Sequence, residues 1–475
     1  MRYFLLSCVL CISLSASAQE VVSLEAVGSF SKAELAADYG FLIQNGVDMF
    51  KVTYTTPDVF GVQDTASGLL VLPDDYTREY PSLIYHHGTI DNKQDVPSNL
   101  AGGFQLAVIF GGVGYATVAP DFLGLGESRG FQLYVHADTE ASASVDMYKA
   151  VRDYAATTNE FFINEQLFLT GYSQGGHASM ASQRLINLSG DDDVQVTAAA
   201  HMSGPYSISG AMIETTLGDE PYGFGAYLAN VILSYNIAYG NIYDDLGEIF
   251  RAPYVPLVEQ YRDGELGLFA LNDSINTRLA ATGEVIPNRI LHDSIVEIAR
   301  NLPDGHPIAE ALKDNDVFDF VPEAPTRLFY CAADDQVTFR NAIIADSVMN
   351  AAGATDLVAI NVEPTADHGG CVSPAVTNTI IFFGALREIG TDTKEAEQLA
   401  GITVQPNPLG EVAELYVPAG EPVVMRLYSA TGQLLRSAPL AAGNHRIDVD
   451  ELSTGLYFLT FDRAGVRRVL KVVKR

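Results

Sequence analysis

The sequence predicts an α/β body with a mostly parallel sheet, a helical insertion in its second half, and a separate small antiparallel β-sandwich at the C-terminal end. Three observations carry this. Strand-like apolar runs alternate with helical patterns through the body, as in parallel sheets covered by helices. Residues 206–322 interrupt that alternation with more than 110 residues rich in Tyr, Leu, Ile and Ala at helical spacing, far too many for a loop. From residue 401 the pattern turns to short alternating strands and turns, as in a sandwich.

The elements follow in chain order. Residues 1–18 read as a signal peptide: Arg2, a largely apolar run from Phe4 to Leu14, and the small-residue site Ala16-Ser17-Ala18, so the mature chain is expected to begin at Gln19. The run is too short to cross a bilayer and no other is long enough, so no membrane span is expected. Cys8 and Cys11 fall inside the apolar run, which disfavours a lipoprotein box. Ser31 to Glu34 forms a capping box opening a short helix. Phe50–Tyr54, Gly68–Pro73, Ser82–Tyr85 and Tyr115–Val118 read as strands, Thr139–Ala156 as a helix, and Leu167–Thr170 and Val196–Met202 as further strands. The insertion follows, with helices at Tyr227–Tyr239 and Ile290–Leu302. Its place between catalytic strands favours a cap over the site rather than a remote scaffold. Arg327–Ala332 and Leu357–Val362 complete the body, which is expected to span 19–392.

A polar linker at Gly390–Gln398 precedes the sandwich of 401–475. Its strands are Glu414–Val417, Val423–Tyr428, His445–Val449, Tyr457–Phe461 and Val466–Val473, with turns at Ala430–Gly432, Ala442–Asn444 and Arg463–Gly465.

The formal net charge is −31. Residues 401–475 hold 7 acids against 9 bases and the first 18 residues only Arg2, so the 52 acids and 18 bases of 19–400 carry −34. Such a body repels nucleic acid and anionic membranes and suits a solvated, exported surface.

Gly171-Tyr172-Ser173-Gln174-Gly175 carries the chemistry. It follows the strand ending at Thr170 and leads into a helix-like segment, the setting in which a sharp turn exposes a nucleophilic serine. Serine needs an imidazole to take its proton and a carboxylate to orient that imidazole. Both follow in chain order. Asp334, with Asp335 as the alternative, lies just past the strand Arg327–Tyr330. His368 lies on what reads as a short Gly-flanked loop past the next strand. The developing oxyanion needs N–H donors: Gln174, just after the serine, and Thr89 (or Gly88) in His86-His87-Gly88-Thr89. His86 and His87 read as structural supports there, and not as a metal-ligand pair, because adjacent histidines on a strand point to opposite faces. Asp121 to Ser128 lacks the third glycine of a nucleotide loop and reads as a turn shaping the site wall.

Cys331 and Cys371 remain after signal removal. They flank Asp334 and His368 at three residues each, and an exported chain meets an oxidising compartment, so a disulfide joining the acid and base loops is expected. Scattered histidines and two cysteines give no metal-ligand spacing, so neither metal nor organic cofactor is expected.

His87-Gly88-Thr89, Pro120 to Gly126 and Gly171 to Gly176 together resemble the α/β-hydrolase superfamily, in particular its secretory lipase branch, over about residues 45–390. The resemblance implies carboxylic ester hydrolysis, often of lipid esters, beneath an inserted cap. Gln405-Pro406-Asn407-Pro408, Leu427 to Gly432, Leu452 to Phe458 and the basic end Lys471 to Arg475 resemble the type IX secretion sorting domain of Bacteroidetes. That implies the type IX secretion machinery as a partner and export through the periplasm to the surface or medium. The expectation is a secreted serine esterase or lipase. Two rivals stand beside it: a serine peptidase on the same fold, and a non-catalytic surface binding protein.

Overall fold

The computed structural model describes residues 19–390 except 41 and 192, and 399–474 except 400, 407, 421, 430–433, 464 and 465. The expected signal peptide, the linker at 391–398 and the turn residues 430–432 and 464–465 lie outside the described residues. The chain divides into two compact units, the second built on Ile389–Arg475 with Asp75–Tyr80 and Glu160–Asn164.

The first unit carries a nine-stranded sheet. Its elements are β1 (Val21–Phe30), α1 (Lys32–Tyr39), β2 (Val47–Pro57), β3 (Gln63–Pro73), β4 (Glu79–His86), α2 (Phe104–Val113), β5 (Ala116–Pro120), α3 (Ala137–Thr158), β6 (Phe162–Tyr172), α4 (Gln174–Ser189), β7 (Ala198–Met202), β8 (Thr326–Tyr330) and β9 (Leu357–Asn361). The spatial order is β1-β2-β3-β5-β4-β6-β7-β8-β9. β1, β2, β3 and β5 pair antiparallel; β4 with β5, and β6 through β9, pair parallel. Continuous apolar runs such as Leu69 to Leu72 and Ala198 to Ala200 are buried, as strands covered on both faces must be. The capping box at Ser31 and Glu34 is formed.

Between β7 and β8 the chain is helical. A short π-turn (Ile208–Met212) leads into α5 (Ile213–Thr216), α6 (Ala226–Tyr239), α7 (Leu246–Ile249), α8 (Val255–Arg262), α9 (Leu268–Ala280), α10 (Asp293–Asn301) and α11 (Pro307–Asp314). These helices share an apolar core of their own that includes Leu233, Phe250, Val258, Leu271 and Ile290, and the body residues Tyr134 and Val135 pack into it. After β8 come α12 (Arg340–Ala351) and, after β9, α13 (His368–Gly384).

The second unit holds two antiparallel sheets. One is β10 (Thr403–Gln405), β11 (Val412–Val417) and β14 (Gly443–Asp448). The other, ordered β13-β12-β15-β16, is β12 (Val423–Ser429), β13 (Leu434–Leu440), β15 (Gly455–Arg463) and β16 (Val466–Lys474). One core, with Leu415, Val417, Met425, Ile447 and Phe461, lies between them.

Three strands were not anticipated, for physical reasons. β1 is an edge strand whose side chains are nowhere fully buried and whose pairing with β2 carries two register shifts, so no alternation shows. β13 contains Pro439, tolerated because the strand lies at a sheet edge. β10 is only three residues long. The expected helix at Ile290–Leu302 begins later, at Asp293, after a 3-10 turn at Pro287–Ile290.

Cys331 and Cys371 form a disulfide with Cα atoms 5.9 Å apart, closing a 40-residue separation. In the chain starting at Gln19, thiol titration after unfolding without reductant should therefore find no free cysteine. Reduction should lower stability by about 3–4 kcal/mol, the loop-closure entropy of such a span, read as a shift in the denaturation midpoint.

Candidate active site

Ser173 stands between the end of β6 and the start of α4, with φ 60° and ψ −123°, a backbone conformation few non-glycine residues adopt. The flanking glycines make the turn sterically feasible. A Cβ on Gly171 would lie 2.1 Å from the Gly175 carbonyl oxygen, and one on Gly175 would lie 2.0 Å from that of His86. The Ser173 N–H is fixed by donation to Met202 O at the end of β7, 3.0 Å.

Asp334 lies in the turn after β8. Its Oδ1 accepts from the N–H groups of Gln336 (3.0 Å) and Val337 (2.8 Å), and its Oδ2 meets His368 Nδ1 at 2.7 Å. The Asp334 side chain is 1% exposed and that of His368 9%. Asp335 does not compete for the imidazole: its Oδ1 accepts from the His368 backbone N–H, 3.1 Å. The two acids thus divide the work, one holding the ring and the other the main chain. Tyr172 adds a third restraint by donating its hydroxyl to the His368 carbonyl. Burial keeps that phenol's pKa above its ordinary value, so the proton stays in place.

His368 is not on a loop, as the flanking glycines suggested. It is the first residue of α13, whose N-cap Asp367 accepts from Gly370 N, 2.7 Å. The glycines therefore belong to the first helical turn. Ser173 Oγ and His368 Nε2 make no hydrogen bond with each other; such contacts often tighten only around substrate. The two residues are linked through Tyr172, which precedes the serine and whose ring centroid lies 5.0 Å from that of His368.

Gly88 approaches the elbow closely: a Cβ there would lie 3.3 Å from Tyr172 O and 3.8 Å from Ser173 Cβ. This brings the Gly88-Thr89 loop beside the serine. The N–H of Gln174 opens α4, where no intrahelical partner exists, and neither it nor the Thr89 N–H donates to another group among the described residues.

His86 and His87 are fully buried supports. His86 bonds Thr170 O and Ser182 Oγ, both at 2.9 Å, and burial lowers its pKa to about 3. His87 bonds Gly88 O at 2.7 Å and Asp121 O at 3.1 Å.

A cavity opens from Ser173 and Gln174 into the helical insertion. Apart from these two, Thr216 and three tyrosines, every lining side chain is apolar, among them Ile208, Leu228, Ile232, Leu291 and Ile308. Its body wall is Tyr134, Val135, Pro205 and Val337; no residue of the Asp121–Ser128 turn, which the sequence suggests shapes the site wall, lines it. That turn is instead anchored to β3 and to the segment before α2, Asp121 accepting from Ser67 Oγ (2.6 Å) and Ser98 N (3.0 Å). Sequence reasoning also missed three ties at the site loops, one from the body and two from the insertion. Tyr134 meets Thr89 Oγ1 at 2.8 Å, Tyr227 donates to Gln336 Oε1 at 3.0 Å, and Asp91 accepts from Phe269 N at the start of α9, 2.8 Å. Nothing in the local sequence marks these partners, since each pair is more than 40 residues apart.

A protein of Legionella pneumophila assigned as a hydrolase is 25% identical, with TM-score 0.68, covering 77% of this chain and 98% of its own. The rice cell wall degrading esterase LipA of Xanthomonas oryzae is 23% identical, with TM-score 0.65 and coverage of 77% and 98%. Candida antarctica lipase A is 16% identical, with TM-score 0.54 and coverage of 74% and 77%. The body has the α/β-hydrolase fold. Residues 403–475 match the family described as the secretion system C-terminal sorting domain. The chain is therefore a type IX export cargo, delivered to the cell surface or the medium. No curated protein sequence matches the chain. Among the described residues no helix is long and apolar enough to cross a membrane.

Two outcomes follow. Gly175→Ala should abolish soluble, folded protein, because its Cβ would meet backbone rather than a movable side chain; wild-type yield and wild-type melting would contradict the packing argument. His86 and His201, each fully buried with a pKa lowered to about 3, should keep neutral imidazole ¹⁵N shifts at pH 5 in the folded protein. Their ordinary value is near 6.5, so unfolding below that pH takes up two protons. Their contribution to stability is complete above pH 6.5 and falls towards pH 3, by up to about 1.4 kcal/mol per pH unit each.

Proposed function

We propose that this protein is an exported serine hydrolase that cleaves carboxylic esters with an apolar acyl group. Ser173 is the nucleophile, His368 the general base, Asp334 the orienting acid, and the N–H groups of Gln174 and Thr89 the oxyanion donors. The observation that carries the reading is the 2.7 Å contact between His368 Nδ1 and the buried Asp334 carboxylate, with His368 tied through Tyr172 to the strained turn that holds the serine.

The chemistry follows from those roles. His368 Nε2 takes the Ser173 hydroxyl proton as Oγ attacks the ester carbonyl carbon. The carbonyl π electrons move to oxygen, where two N–H donors meet the negative charge. As the tetrahedral intermediate collapses, the C–O bond to the alcohol breaks and His368 returns its proton to the leaving oxygen. Water, deprotonated by His368, then attacks the acyl-enzyme and releases the acid and Ser173. Asp334 remains ionised and stabilises the imidazolium formed in each half-reaction.

The lining of the cavity supports an apolar acyl moiety. The helical insertion acts as a cap, and its apolar core continues into that lining. The esterase and lipase names of the structural neighbours agree with ester rather than peptide hydrolysis.

A fluorophosphonate probe should label the wild type and not Ser173→Ala. The wild type, before reaction with the probe, should hydrolyse p-nitrophenyl esters but not aminoacyl anilides. Asp334→Asn should lower kcat by about 10³–10⁴-fold, whereas Asp335→Asn, which leaves the ring contact intact, should cost far less. Labelling that survives Ser173→Ala would remove the serine from its role.

A further inference from the structure

A second carboxylate–imidazole pair lies directly behind the nucleophile, and the ester-hydrolase reading leaves it unused. Glu140 on α3 and His177 on α4 meet at 2.8 Å between Oε2 and Nδ1, with side chains 1% and 0% exposed. His177 Nε2 faces the Asn315 carbonyl oxygen at 3.0 Å. A carbonyl can only accept, so Nε2 carries a hydrogen, and the pair shares one proton between Nδ1 and Oε2.

The other oxygen of Glu140 is the informative one. Oε1 accepts both from the Gln174 side-chain amide, 2.8 Å, and from the Val135 backbone N–H, 3.1 Å. Gln174 is the residue whose own N–H would bind the oxyanion. Val135 lines the acyl cavity with φ 46°, an unfavourable conformation for a β-branched residue. Its carbonyl is held from the other side by the Tyr235 hydroxyl, 3.1 Å. Asn315, just past α11 at the end of the insertion, also accepts from Ala137 N through its side chain, 2.8 Å. One buried carboxylate thus ties together the oxyanion residue, a strained cavity wall and, through His177, the root of the insertion.

We propose that Glu140 is a positioning residue: it sets the Gln174 N–H and the Val135 wall in register with Ser173. This rests on the ester-hydrolase reading. An interaction of this kind is spent on the transition state, where the oxygen becomes charged, and little on substrate binding.

The test compares Glu140→Leu, Glu140→Gln and Gln174→Met with the wild type on a p-nitrophenyl ester, beside the inhibition constant of an alkyl boronic acid that mimics the tetrahedral anion. Glu140→Leu should lower kcat by about tenfold or more with KM nearly unchanged, and weaken the boronic acid by a similar factor. Glu140→Gln should recover most of the loss, because its amide can donate to His177 Nδ1 while its oxygen accepts from Gln174 and Val135. Gln174→Met keeps the backbone donor and the buried pair but cuts their link, so it should show the same kcat-selective loss, and it decides the matter if Glu140→Leu does not fold. An unlabelled, inactive wild type would sink the ester-hydrolase reading and this inference with it. An active wild type with unchanged kcat in Gln174→Met and in folded Glu140→Leu, or with losses confined to KM, would sink this inference alone.

Discussion

The absence of room at the turn after β6 is the constraint on which the site depends. Two glycines sit where any side chain would overlap a carbonyl oxygen, so α4 starts flush against the ends of β4 and β6. That proximity forces Ser173 into its positive φ, aims its side chain away from the sheet and leaves the Gln174 N–H at a helix start without a backbone partner. The strain, of order 1–3 kcal/mol, persists because surrounding contacts over-determine the backbone. His86 is one of those contacts, its ring bridging β6 and α4. A cationic ring there would have no carboxylate to answer it, and its burial excludes the proton.

The remaining machinery is assembled from opposite directions. Asp334 and His368 stand on consecutive β-to-α connections, joined by the disulfide between Cys331 and Cys371 and by two carboxylates acting on the same histidine. The Thr89 loop and the turn carrying Gln336 are each hydrogen-bonded to aromatic residues bordering the cavity. Burial and the nearby acids push the Tyr227 phenol up to about 12, so it remains a donor to Gln336 at neutral pH. Displacing the insertion would cost the Tyr227 bond to Gln336 and the Phe269 N–H bond to Asp91, so cavity shape and loop geometry are coupled rather than independent.

Much of this was legible in the sequence, for local reasons. The strand–turn–helix around Ser173, the capping box at Ser31 and the length of the insertion are all written within short windows. The chain order of Ser173, Asp334 and His368 could be read because each residue follows a strand with an apolar signal. What escaped was non-local or weakly patterned. The choice between Asp334 and Asp335 depends on which carboxylate faces an imidazole 34 residues away. Val135 became a cavity wall through Glu140 and Tyr235, the latter 100 residues distant. The edge strands β1 and β13 bury too little to show a period.

Six histidines are buried among the described residues, and their partners separate roles that residue type alone cannot. His86, His87, His177 and His201 have both ring nitrogens engaged by protein atoms, so none can exchange a proton with substrate without breaking a bond. His136 bonds Thr139 through Nδ1 and packs against Tyr235 and Tyr239, with no carboxylate to stabilise a charged ring. His177 and His368 both face a buried carboxylate through Nδ1, yet only His368 leaves Nε2 without a protein partner among the described residues. A closed pair holds its proton and serves as a fixed strut. An open pair can lend and recover one, and it is the open pair that stands beside the strained serine.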